Sequence, residues 1–110
     1  MILRLWRGWT EPDSTAAYEE LLTGRIAPAI LERGIPGLLD LTVLRRHPSE
    51  LAPAVGGEVL TAMTFADLDA VAAFTGADPS ASVVPPAARA LLSRFEQHSR
   101  HYETVARFGG

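Results

Sequence analysis

Apolar residues crowd the amino end of the chain, from Ile2 to Thr10 (ILRLWRGWT), and the run stops at Glu11-Pro12, a pattern that predicts a strand. The period then lengthens. Tyr18, Leu22, Ile26 and Ile30 recur every four residues with Leu21 and Ala29 beside them, one apolar stripe of an amphipathic helix, with Asp13 placed to cap it. Pro28 removes a backbone donor inside that helix and predicts a kink or break near residues 24–28. Gly34 and Pro36-Gly37 end it. Residues 38–46 (LLDLTVLRR) and 58–65 (EVLTAMTF) read as two strands, joined through a loop holding Pro48, Pro53 and Gly56-Gly57, most economically as a long antiparallel hairpin. Asp67 then caps a helix over 68–76. An irregular connector (77–86), a short helical piece (87–94) and a final strand within 95–108 complete the chain.

Strand, helix, strand, strand, helix, strand is the order of a ferredoxin-like βαββαβ unit, an α+β fold with a four-stranded antiparallel sheet and its helices on one face. No repeat or linker divides residues 1–110, so one domain is expected, with the last strand antiparallel to the first at one edge. The predicted strands are apolar on both faces. Leu39, Leu41 and Val43 oppose Leu38 and Leu44; Val59, Met63 and Phe65 oppose Leu60 and Ala62; Leu3 and Leu5 oppose Ile2 and Trp6. A sheet with one wet face should alternate. Each large side chain left wet forfeits roughly 1.5–3 kcal/mol. A second copy covering the free face, a homodimer, is therefore expected.

Composition narrows the functions. The apolar share is 47% and the net charge −3, which argues against a nucleic-acid footprint. With no cysteine, disulfides and thiolate metal sites are excluded. Arg4 and Arg7 break the amino-terminal apolar run, so no signal peptide is read there, and no stretch reaches the roughly 20 apolar residues of a membrane span. A soluble, cytoplasmic protein is expected. Lysine and asparagine are both absent, a bias that reads as GC-rich coding rather than as selection for anion binding. The 47–57 loop has two glycines but not the spacing of a phosphate cradle.

Three stretches carry a family resemblance: ILRLWRGWT followed by a helix, 60-LTAMTFADLDAVAAFTG-76, and the tail FE…HYETV. Together they resemble the antibiotic biosynthesis monooxygenase family of dimeric α/β-barrel proteins. The resemblance implies two ferredoxin-like units packing their sheets into a barrel, with a pocket in each between sheet and helices. It also implies oxidation of aromatic polyketides by dioxygen without a metal or organic cofactor. Two departures stand out. Phe65 occupies the end of strand three, where family oxygenases often have tryptophan, and Thr61 falls where some quinone-forming members have asparagine. The helix after strand three also lacks the histidine of heme-degrading relatives.

The final strand concentrates the chemistry. On an extended backbone Gln97, Ser99, His101, Glu103 and Val105 share one face, while His98, Arg100, Tyr102 and Thr104 share the other. His101 is the candidate base for a phenolic proton, Arg4 the anion stabiliser and Tyr102 a second proton donor. Trp6 is a candidate ring contact, and Phe65, Thr61 and Glu103 are candidate substrate contacts. No metal is expected, since His101 and Glu103 would need a third ligand and His47 belongs to a distant loop. Two readings stay open: a cofactor-free oxygenase acting on a small aromatic with dioxygen, or a non-catalytic dimer that binds a small molecule or partner with the same residues.

Overall fold

The computed structural model describes residues 1–52, 56–76, 78, 80 and 82–109. Pro53 of the expected loop, and Ala77, Pro79 and Ala81 of the expected connector, lie outside them. Strand β1 (Ile2–Thr10) is central to the sheet, antiparallel to β3 (Gly57–Phe65) on one side. Beyond β3 lies β2 (Leu38–Arg45), also antiparallel. On the other side of β1 the expected fourth strand is present in two pieces, β4 (Arg94–Phe95) and β5 (Arg100–Glu103), both antiparallel to it. The break has a side-chain cause. Glu96 folds its carboxylate back into the ladder, where Oε1 accepts the Arg7 backbone N–H at 2.8 Å. Oε2 of the same carboxylate accepts from the guanidinium groups of Arg7 at 3.2 Å and Arg100 at 2.9 Å.

The first helix starts later than Asp13 predicts. A 3-10 turn, Pro12–Ser14, precedes α1 (Thr15–Leu21), and no side chain caps either start. Thr15 Oγ1 donates to Glu11 O instead. Pro28 produces a widened turn rather than a break. Leu22–Ile26 is π-helical, with the Ala27 N–H reaching back to Leu22 O, and α2 (Ala27–Glu32) resumes with proline in its first turn. The wider turn gives the proline ring room without ending the helix. Asp67 caps α3 (Leu68–Thr75) as expected, its Oδ1 accepting from Ala70 N at 2.9 Å. The late helical piece is the four-residue α4 (Pro86–Arg89), and Arg94 belongs to β4.

The helices cover one face of the sheet. Tyr18, Leu22, Val59, Val84 and Ala88 form one core cluster beneath α1 and α4, with Trp6 packed against it. Met63, Phe65, Ala70, Val71 and Phe74 form a second beneath α3. A bulge between Leu38 and Asp40 resets the parity of β2. Leu38 and Leu41 join the second cluster while Leu39 is left exposed, contrary to the grouping of Leu39 with Leu41. The other face presents Leu3, Leu5, Leu60 and Ala62, none of which belongs to either cluster, beside the exposed Leu44 and Tyr102. At Gly56, φ is +82° and a Cβ would approach Thr10 O to 2.2 Å, so only glycine lets this chain pass so close to the end of β1.

Candidate functional site

A cavity of about 60 Å³ lies between the helix-side face of the sheet and the helices. Its walls are mostly apolar, with Leu22, Ile26, Ile30 and Met63 among them, and its polar groups come from Arg4, Trp6, Tyr18, Thr61 and Ser99. Alternation along β1 puts Arg4 and Trp6 on this face, and the pairing of Trp6 with Thr61 brings the latter beside them. A water needs roughly 10–15 Å³ measured this way, so the cavity has room for a small polar group and part of a ring.

Arg4 is the most unusual lining residue. It is 3% exposed, and burial lowers its pKa to about 10, which leaves it charged at neutral pH. Its Nη1 lies 2.9 Å from His101 Nε2, the residue opposite it in the β1–β5 register. A guanidinium only donates, so His101 accepts through Nε2 and carries its proton on Nδ1. Desolvation, then repulsion from Arg4, lowers the His101 pKa, so the imidazole is neutral at pH 7. The Arg4 guanidinium carbon is also 5.5 Å from the Phe74 ring centroid, and that of Arg33 is 5.3 Å from it.

The predicted site residues separate into two groups. Arg4, Trp6 and Thr61 line the cavity; His101 stands behind Arg4 and does not. Phe65 is fully buried in the second core cluster, its ring 6.0 Å from that of Phe74, and is not part of the cavity wall. Tyr102 is 53% exposed and opposite in parity to His101, facing away from the cavity, and Glu103 is exposed at the strand end. His47 accepts from Ser49 N in its own loop. Among the described residues no three histidine or carboxylate side chains gather as a metal site, and no helix is long and apolar enough to cross a membrane.

Three further residues matter that sequence reasoning did not select. Tyr18, 1% exposed, lines the cavity, and burial raises its phenol to about 12, so it stays protonated. Its place in an apolar stripe concealed the hydroxyl. Ser82 holds the segment 82–85, which carries Val83, Val84 and Pro85 to the cavity wall. The Trp6 indole N–H points at both Ser82 Oγ (2.9 Å) and Glu96 O (2.8 Å). Trp6 therefore latches this strap as well as lining the wall. Ser99 is 6% exposed, lines the cavity and has no partner for its hydroxyl among the described residues. Its shared face with His101 was the available signal.

Several solved structures share this fold. A suspected antibiotic biosynthesis monooxygenase from Deinococcus radiodurans matches 99% of this chain and 97% of its own, with TM-score 0.66 and 17% identity. The ActVA-Orf6 monooxygenase of Streptomyces coelicolor, solved with nanaomycin D, matches 99% and 91%, with TM-score 0.60 and 18% identity. SnoaB, a cofactor-independent oxygenase from Streptomyces nogalater, matches 98% and 94%, with TM-score 0.54 and 18% identity. No protein-family model matches the chain, and no curated protein is significantly similar. The fold is that of the antibiotic biosynthesis monooxygenases.

Proposed function

From this antibiotic biosynthesis monooxygenase-like fold we propose a cofactor-free oxygenase that acts on a small hydroxylated aromatic with dioxygen, as a cytoplasmic homodimer. The observation that carries this reading is the charged Arg4 guanidinium buried against an apolar cavity. Such a cation stabilises a phenolate far better there than in water. A phenolic oxygen entering the cavity replaces His101 Nε2 as the acceptor for Arg4. As Arg4 swings onto the phenol it uncovers Nε2, which, on a ring held neutral, takes the phenolic proton. The negative charge of the phenolate held by Arg4 offsets the repulsion between the new imidazolium and Arg4. The ionised ring is electron-rich enough to reduce dioxygen. The overall change, a ring CH2 plus O2 giving C=O plus H2O, balances without another reductant. Trp6 and Thr61 are ring contacts in this reading. Phe65 supports them from behind Phe74, while Tyr102 and Glu103 act from outside the cavity, at the strand edge and the subunit contact.

A second reading, a binding dimer without turnover, is favoured by the cavity's small volume and by the engaged Nε2 of His101. Dioxygen consumption with a panel of hydroxylated anthrones and related phenols separates the two. The oxygenase reading expects one O2 consumed per quinone formed. It also expects a fall in kcat of about 10²–10⁴-fold in His101→Ala. No uptake with any compound defeats the enzyme reading, and unchanged turnover in His101→Ala removes the base.

A further inference from the structure

Ser99 presents a buried hydroxyl that has no hydrogen-bond partner among the described residues. It lies just before β5, two residues from His101, and opens onto the same cavity as Arg4. Buried polar groups without partners are rare and disfavoured, and one on a cavity wall is a donor waiting for an acceptor. Tyr18, whose hydroxyl is kept protonated by burial, lines the same space. Among the described residues that line the cavity there is no aspartate or glutamate. The space accommodates a head group rather than a fused ring system, so the remainder of a larger ligand has to extend beyond it.

We propose that this cavity is a head-group site for an organic monoanion, a carboxylate or phenolate on an apolar skeleton, in which Ser99 Oγ donates beside the Arg4 guanidinium. The inference rests on the reading above only for where the ligand binds; it requires neither turnover nor dioxygen. Ser99 contributes a hydrogen bond to a charged oxygen and Arg4 the charge preference. Leu22, Ile26 and Met63 supply the apolar walls.

Binding is measured by calorimetry on the full chain under nitrogen, with 2-naphthoate, a nitrophenol ionised at the working pH, and the neutral 2-naphthamide. The wild type is expected to bind 2-naphthoate about tenfold or more tighter than 2-naphthamide, the size of one charge-assisted hydrogen bond. Ser99→Ala should weaken the anions by several-fold to tenfold and leave the amide unchanged. Arg4→Lys should keep the preference for anions and Arg4→Met should lose it. If Arg4→Met does not fold, as judged by circular dichroism, Ser99→Ala and Arg4→Lys decide the matter. Binding of the nitrophenolate with the same Ser99 dependence assigns the site to both oxyanions, and binding of 2-naphthoate alone assigns it to carboxylates. Equal affinity for acid and amide, no binding of any probe, or anion affinities unaltered in Ser99→Ala overturns the proposal. Anion binding as described without oxygen uptake on any phenol leaves this site standing and removes the oxygenase reading.

Discussion

Replacing Trp6 by phenylalanine keeps a ring on the cavity wall but deletes the N–H that reaches Ser82 Oγ and Glu96 O. Two neutral hydrogen bonds sharing one donor are together worth about 1–2 kcal/mol. Glu96 O keeps the Ser82 hydroxyl as a donor, so no buried acceptor is stranded and the cost stays in that range. The smaller ring adds roughly 1 kcal/mol of lost packing against Phe95, whose centroid is 6.1 Å away. The expected total is about 2–3 kcal/mol, a fall in Tm of around 10 °C for a domain of this size. Ser82→Ala alone should cost about 1 kcal/mol. If Trp6 latches the 82–85 strap through Ser82, the double variant is less destabilised than the sum of the singles, with a coupling near 0.5–1.5 kcal/mol in urea unfolding. Hydrogen exchange at the Ser82 amide, which donates to Gln97 O at 3.1 Å, should quicken in either single variant without a change in the central strands. Additivity within about 0.3 kcal/mol, or unaltered exchange at the Ser82 amide, refutes the latch and leaves Trp6 a wall residue only.

Phe74→Ala removes a ring that is 6% exposed, packs against Phe65 and lies under both Arg4 and Arg33; urea denaturation should show a loss of about 3–5 kcal/mol. The lowered pKa of His101 has a definite sign for stability. As pH falls through 6.5 the unfolded chain takes up a proton that the folded imidazole still refuses, so stability drops until the folded pKa is passed. His101→Gln should flatten the stability profile below pH 6.5, and an unchanged profile would show that burial and Arg4 do not disfavour the imidazolium. If the proposed homodimer forms through the open face of the sheet, Leu5→Arg buries two charges in its two-fold contact and forfeits about 3–6 kcal/mol of apolar burial. Sedimentation velocity should find single subunits with unchanged circular dichroism, and an intact dimer would place the interface elsewhere.

Much of the architecture was legible because it depends on short-range periodicity. Alternation from Ile2 to Thr10, the four-residue recurrence from Tyr18 to Ile30 and the Asp67 cap each express the physics of one element. The breaks were less legible, since each arises from a contact between distant residues. Glu96 interrupts the last strand because the Arg7 N–H and two guanidinium groups converge on its carboxylate. The β2 bulge exchanges Leu38 for Leu39 because Leu38 has a place against Phe65. The site followed the same division. Face parity puts Arg4 and Trp6 on one side of β1, and that was readable; the register that sets Thr61 beside Trp6, and what each residue touches, were not.

The sequence by itself determined the element order, the α+β class, the shared face of Arg4 and Trp6, and a sheet apolar on both sides, since these follow from the spacing of side chains along one backbone. Only the tertiary structure decided that Arg4 engages His101, that Trp6 fastens a strap, that Phe65 is core and that Tyr102 turns outward. Those outcomes depend on which groups meet after long loops close, and the local pattern carries no record of the burial and partner geometry that set their charge and hydrogen bonding.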